Sequence, residues 1–300
     1  MKIIKPDFEI WNQEEGLEGV YKQIERAGRV CYKSEDKITE DSAKEFVERM
    51  IKSGHGAMLE HGTVYLKIPY GTMDDRGEFS NEPIVIKYID NPYSVVMNNS
   101  ENDYWYITSN YRVIIENEWI DDLQYLCEPT EFHAKRITVH FVCDRGVSHE
   151  FVRHRVMSFA QESTRYCNYS KDKFGNELTF ILPPWVDERQ LGEQNSQELL
   201  IQTGSLSNPT YTQEDLNELY FLFSLASSEV QYFNLINNGW KPQQARAVLP
   251  NSLKTELVVT GFASDWEHFF ELRDAGSAHP QARELAHPLH EEFKNRDLLK

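Results

Sequence analysis

Apolar positions along the chain fall into alternating helical and strand periods. Over residues 14–28, Leu17, Val20, Tyr21, Ile24 and Ala27 recur at helical spacing, predicting a helix that ends on Arg29-Val30-Cys31-Tyr32. Residues 40–53 repeat the pattern with Ala43, Phe46, Val47, Met50 and Ile51; Glu40 and Asp41 suit the first turn and Gly54 the stop. Residues 63–68 alternate as a strand that ends near Pro69, and 137–143 set Ile137, Val139, Phe141 and Cys143 against Thr138, His140 and Val142, a strand with one buried face. Asp144-Arg145-Gly146 then turns the chain into a helix carrying Arg153-His154-Arg155. Residues 212–238 form the strongest helix, with Thr212 and Asp215 as a capping-box start, Leu216, Leu219, Tyr220, Phe223 and Val230 as its core stripe, and Gly239 at its end. Pro242 opens and Pro250 closes a short helix, residues 257–262 read as a buried strand, and Ser264 with Glu267 reads as a capping box for a helix over 266–273. Ala278-His279-Pro280-Gln281 starts a last amphipathic helix.

These elements predict an α/β (α+β) fold: a single domain over 1–300, mainly antiparallel sheet carrying long helices. Two stretches interrupt it. Residues 69–136 are first Gly-, Asp- and Asn-rich and then aromatic; they read as an insertion, a lid or an assembly surface, with a strand over 84–89 and a helix over 119–127. Residues 167–211 are polar, with Pro183-Pro184, and read as an elaborated loop.

A formal charge of −17 on 300 residues argues against a general nucleic-acid or anionic-membrane surface. An anionic small ligand needs a local basic pocket. The run from Arg153 to Tyr166, with Arg153, Arg155 and Arg165 around His154, Gln161 and Ser163, is out of character with that acidity; planar, permanently charged forks suit phosphates and carboxylates. Cys31, Cys127, Cys143 and Cys167 make no metal spacing, and the first residues hold no apolar signal core. A reduced, cytoplasmic protein is expected.

Glycines bracket His55, Glu60 and His61 in a turn; a metal there would need further ligands and supporting groups, and none is evident. Arg246 stands alone in an apolar turn, where either a salt bridge or a ligand answers it. Arg273 ends a helix, where the dipole or a ligand answers it.

The spaced string R-H-R, seven residues, S, followed by S-x-R-Y, resembles the signature of the flavin-dependent thymidylate synthases. R-V-x-Y followed by G-H-x-x-x-x-E-H, and A-R-x-x-L-P around Arg246, are similar to two further family patterns. The resemblance covers residues 14–68, 137–170 and 240–293. It implies reductive methylation of dUMP to dTMP with methylenetetrahydrofolate, NADPH and bound FAD, in a homotetramer with shared sites. It assigns Arg273 and His55 to catalysis. Ala57, Glu60, Arg153, His154, Arg155, Gln161, Ser163, Ser264 and His268 fall to the cofactor. Glu150, Arg153, Gln161, Glu162, Ser163, Thr164, Arg165, Arg246 and Arg273 fall to dUMP. The chain departs from the pattern at Glu150, where glutamine is common, and a carboxylate there suits pairing with an arginine. Phe262 and Ser264 replace asparagine and arginine, and Cys31 and Ala57 replace small hydroxyl residues, so Trp266 or His268 is expected to help hold FAD. Two other classes remain open on the residues: a flavin-free nucleotide sensor using the arginines, and a metal-dependent phosphohydrolase built on His55, His61, His140 and His154.

Overall fold

The computed structural model describes residues 1–99, 103–171, 174–201 and 212–299. The chain opens with strands β1 (Lys2–Ile4) and β2 (Asp7–Trp11), then helices α1 (Gly16–Tyr32) and α2 (Ser42–Lys52). α2 buries Ala43, Phe46, Val47 and Met50 as its spacing predicts, leaves Ile51 exposed, and ends where Gly54 takes a φ of +69°, a left-handed conformation natural to glycine. α1 and α2 approach closely because Gly28 has no side chain; a Cβ there would lie 2.5 Å from the Phe46 ring. One short turn, α3 (Gly56–Leu59), leads into β3 (Thr63–Pro69).

The predicted insertion is built into the molecule rather than laid over it. It supplies α4 (Glu82–Ile89), β4 (Val95–Asn98), β5 (Tyr104–Asn110) and α5 (Tyr111–Glu116). β5 pairs antiparallel with all of β3, from Thr63↔Asn110 to Pro69↔Tyr104, and β4 pairs with its outer edge. Residues 84–89 are therefore helix, not strand. Their β-branched side chains mimic a strand, but Pro83 suits a first helical turn and Val85 and Tyr88 share one buried face three residues apart. Residues 119–127 hold only a 3₁₀ segment, Ile120–Tyr125.

β6 (Arg136–Asp144) follows, then α6 (Arg145–Phe151), β7 (Ser158–Gln161), β8 (Thr179–Ile181), β9 (Gly192–Glu193), α7 (Ser196–Ile201), α8 (Gln213–Asn237), α9 (Pro242–Ala245), β10 (Lys254–Phe262), α10 (Ala263–Arg273) and α11 (Pro280–Asn295). The expected loop over 167–211 thus carries β8, β9 and α7, and its residues 202–211 lie outside the described residues. The capping box of α8 forms as predicted. Its stripe is shifted, though: Leu222, Phe223, Leu225, Ala226 and Tyr232 are buried while Tyr220 is exposed. α10 starts at Ala263, three residues before its predicted start, because Asp265 accepts the Phe262 N–H at 2.9 Å.

Three sheets result where one was expected. The central one, in order β2-β6-β10-β7, is wholly antiparallel. One face packs Phe141, Val139 and Leu257 on Phe151, Trp266, Phe269 and Phe293 of α6, α10 and α11. The other receives Ala27 and Val30 of α1, so β6 is covered on both sides and Thr138 is buried too. The β3-β5-β4 sheet packs on α1 and α2, and the β8-β1-β9 sheet, with β1 parallel to β8, packs on α8. Among the described residues no helix is long and apolar enough to cross a membrane.

Candidate active site

Asp144 caps α6 by accepting the Val147 N–H at 2.8 Å, and the helix stops at Phe151. Arg153-His154-Arg155 therefore lies in the turn before β7, not on a helix. The chain has to reverse there to set Ser158–Gln161 against Thr260–Leu257 of β10. The turn points its residues apart: His154 is buried, its ring 5.0 Å from Phe269, while Arg153 and Arg155 are exposed.

The last residue of α10 reaches this turn. Arg273 donates through Nη1 to Glu150 Oε2 at 2.7 Å, through Nη2 to the Glu150 carbonyl at 2.8 Å and through Nε to His154 Nε2 at 3.2 Å. The carboxylate at 150 pairs with an arginine, as its chemistry predicts. His154 has to accept at Nε2 and is neutral; burial, then the charges of Arg273 and His268, push its pKa down to about 4.

Beyond β7 the predicted residues diverge. Gln161 donates through Nε2 to Ser148 at 2.8 Å and Thr255 at 3.2 Å. Glu162 is buried between Lys254, 3.0 Å away, and the Tyr169 hydroxyl, also 3.0 Å away. Lys254 in turn pairs with Glu256, which His140 and Lys33 also contact. Ser163 Oγ accepts the Arg165 N–H at 3.4 Å, and no base stands beside it among the described residues. The Arg165 guanidinium lies over the Tyr166 ring, which packs on Tyr32, whose hydroxyl is 3.4 Å from His55 Nδ1. Thr164 Oγ1 accepts from Arg246 at 3.3 Å. Arg246 is exposed, with no ion-pair partner among the described residues, so the buried salt bridge that an apolar turn suggested is absent.

Glu60 takes Arg112 Nη1 at 2.6 Å and, with Arg155, lines a cavity of about 530 Å³. Glu162 lines another of about 520 Å³, and Glu150 a third of about 250 Å³. The predicted residues are thus distributed over separate clefts of one chain. Ala57, His55, Ser264 and His268 are exposed, and Trp266, expected near the cofactor, is buried with its indole N–H on the Ile137 carbonyl at 3.2 Å. His55, His61, His140 and His154 have four different partners, and among the described residues no group of three or more His, Cys, Asp or Glu side chains is placed to hold a metal ion. The sequence reading missed Lys254, Arg112 and Arg136. Only alternation along β6 hinted at the last, by putting it on the face of Thr138 and His140.

Two buried histidines set an acid limit. His61 bonds Thr260 Oγ1 at 2.8 Å through Nδ1, leaves Nε2 without a partner, and burial plus Arg136 push its pKa down to about 3. The unfolded chain takes up these protons first, near pH 6.5, so stability falls as pH drops from there through 4 for His154 and 3 for His61. Each group contributes up to about 1.4 kcal/mol per pH unit. Thermal midpoints taken in pH steps should fall across this window, and His61→Asn should flatten the slope; parallel profiles would contradict the assignment.

A family model described as "Thymidylate synthase complementing protein" matches residues 86–297. A "Flavin-dependent thymidylate synthase" of Mycobacterium avium (strain 104) is 34% identical over 142 residues, covering 47% of this chain and 50% of that one. The protein of the same name from Pyrococcus furiosus is 28% identical over 155 residues, covering 52% of each. That of Corynebacterium aurimucosum is 25% identical over 279 residues, covering 92% of this chain and 76% of its own. The chain spans about half the length of the first two relatives. Among solved structures, the UMP/dUMP methylase PolB from Streptomyces cacaoi bound with 5-Br dUMP aligns over 98% of this chain and 93% of its own, at 16% identity and a TM-score of 0.41.

Proposed function

Because the chain belongs to the thymidylate synthase complementing protein family, we propose that it carries out the reductive methylation of dUMP to dTMP, with methylenetetrahydrofolate as carbon donor, NADPH as reductant and FAD as bound cofactor. The observation that carries the reading is the set of Arg153, Arg155, Arg165 and Arg246. All four are exposed without an ion-pair partner among the described residues, in a chain of net charge −17. Guanidinium forks without a carboxylate partner in so acidic a protein are suited to nucleotide phosphates.

The residues fit a phosphate-bearing cofactor for the same reason: Arg153, Arg155, Gln161 and Ser163, with Glu60, Ala57, His154, Ser264 and His268, would hold FAD. When bound, FAD supplies the hydride transfer that the reaction needs. Glu150, Glu162, Thr164, Arg165 and Arg246 would line the dUMP site. Arg273 would bind the uracil. Three of its five N–H donors are engaged by Glu150 and His154, which leaves two for a ligand. A fixed cation there favours the N3-deprotonated pyrimidine, which pushes electron density to C5 for alkylation without a covalent nucleophile. Ser163, lacking an adjacent base, acts as a hydrogen-bonding group.

The cysteines support that route. Burial pushes the Cys31 and Cys127 thiols up to about 11 and Cys143 higher still, and Cys167 is buried. A variant with all four changed to serine or alanine should still form dTMP, provided it folds and holds FAD. A folded, FAD-loaded Cys167→Ser protein that makes none would overturn the mechanism.

The site would be shared in a homotetramer. Val156, Tyr166 and Leu272, next to Arg155, Arg165 and Arg273, are 69%, 58% and 49% exposed, an apolar fringe suited to cover by another copy. Mixing inactive His55→Ala and Arg273→Ala subunits should restore some turnover; a fully active monomer would refute sharing.

The colour of the protein tests the reading. Reconstituted with FAD, it should show the two visible bands of oxidised flavin and bleach with NADPH in the absence of oxygen. A protein that stays colourless in excess FAD does not work this way.

A further inference from the structure

Asp274 follows Arg273 at the end of α10, and by local rules a carboxylate is out of place there. The carboxyl end of a helix carries partial negative charge, which disfavours another negative group. The Asp274 side chain is nonetheless only 13% exposed. Burial alone would raise its carboxyl, but His290 and His287 hold it below the ordinary 3.8, so it carries its charge. Something other than α10 has to account for it.

The partners of its side chain come from α11. His287 Nδ1 lies 2.9 Å from Asp274 Oδ1, and His290 Nδ1 lies 2.8 Å from Oδ2. Facing an ionised carboxylate, both ring nitrogens have to donate. Arg283 Nε donates to the Asp274 carbonyl at 3.1 Å and stands 3.5 Å from Oδ1. The Asp274 N–H goes to the Phe270 carbonyl at 2.9 Å, so every polar atom of this residue is held. Arg283, His287 and His290 are spaced to share one face of α11. The His290 ring also stacks on Phe270 of α10, with centroids 4.4 Å apart and planes 8° from parallel.

The residue held in this way is next in the chain to Arg273, whose guanidinium is fixed at its far end by Glu150 and His154. The exposed Glu271 and Leu272 give the last turn of α10 no other polar anchor, since Glu271 pairs within the helix, with His268 at 3.3 Å. A long side chain aims reproducibly only when both its tip and its backbone are fixed, and a displacement of about 1 Å costs a positioned group much of its effect.

We propose that Asp274 is a positioning residue for Arg273: through His287, His290 and Arg283 it clasps the last turn of α10 to α11 and so sets the aim of the guanidinium. The proposal rests on the reading of Arg273 as the cation that binds the uracil, and deepens it by placing part of that aim in α11.

Asp274→Ala removes the clasp and leaves Arg273 in the chain. Its kcat should fall about tenfold and its dUMP affinity, measured by calorimetry, roughly threefold to tenfold, as for a group misplaced rather than lost. Asp274→Asn keeps one acceptor for an imidazole N–H and should recover part of both. A double-mutant cycle on dUMP affinity separates positioning from stability: in an Arg273→Ala background, Asp274→Ala should cost nothing further, because it acts through the arginine. An equal cost in both backgrounds, or wild-type kcat and affinity in Asp274→Ala, makes Asp274 a structural tie and overturns the proposal. Should Asp274→Ala fail to fold, His290→Phe takes its place, keeping a ring on Phe270 while losing the Nδ1 donor. A smaller loss that disappears in the Arg273→Ala background is then expected, and a His290→Phe protein indistinguishable from wild type overturns the clasp. Failure of the broader reading looks different. A wild type that binds dUMP but makes no dTMP sinks the reaction and leaves the cycle to decide. A wild type that binds no dUMP sinks the reading of Arg273, and a crystal structure of Asp274→Ala then tests the clasp: Arg273 should have left Glu150 and His154, and an unmoved guanidinium overturns it.

Discussion

Arg273→Ala is expected to weaken dUMP binding about tenfold to a hundredfold, the worth of one charge-assisted hydrogen bond. It should also slow turnover roughly a hundredfold further, since a fixed cation acts most where charge develops. The fold should survive. Arg273 sits at the end of α10, and its partner Glu150 is one third exposed at 33%, so water can take over that carboxylate. Calorimetry with dUMP, steady-state rates and a melting curve together decide the matter. Unchanged dUMP affinity with a lower melting temperature would make the arginine a mere tie between α10 and the turn before β7.

The largest stability loss is expected from Lys254→Met, about 3–5 kcal/mol, because it strands the buried Glu162 carboxylate, while Glu256 keeps Lys33 and His140. Glu162 is 3% exposed and Lys254 is its cation at 3.0 Å. Burial opposes the charge on Lys254, yet Glu162 and Glu256 raise its pKa above the ordinary 10.5. Burial would likewise raise Glu256, but His140, Lys254 and Lys33 hold it well below the ordinary 4.5. The depressed carboxyl contributes stability that is present above about pH 4.5 and lost as pH falls; the raised ammonium contributes stability that is present below about pH 10.5 and lost as pH climbs. Denaturant unfolding should therefore show a constant gap between wild type and variant from about pH 5 to 10, narrowing on both sides. A gap under about 1 kcal/mol at pH 7 would mean the network is solvated and weak.

What the sequence made legible is what local periodicity encodes. α1, α2, β6, β10 and the cap of α8 could be read because one apolar face or one capping pair specifies them. Residues 84–89 misled because Ile and Val at β-branched positions look like a strand, whereas a strand needs a partner that only the fold can supply. The stripe of α8 was misphased because apolar side chains occupy most of its circumference, and buried Glu229 belongs to the buried face on account of a distant partner, the N-terminal amine. The arginine string was found at once, but its conformation was not, since the turn at Arg153-His154-Arg155 is imposed by the pairing of β7 with β10. Arg112 and Arg136 had no local mark: one meets Glu60 across 52 positions and the other meets Ser158 across 22. The three-sheet arrangement was hidden for the same reason, because β3 finds its neighbour in β5, inside a stretch that read as an insertion.

The central claim is a chemical conversion, and chromatography of the reaction mixture tests it most directly. The FAD-loaded protein, given dUMP, methylenetetrahydrofolate and NADPH, should form dTMP, and omission of NADPH or removal of the flavin should stop it. A folded, FAD-loaded protein that leaves dUMP unchanged in the complete mixture, or that makes dTMP equally well without flavin, would contradict the account.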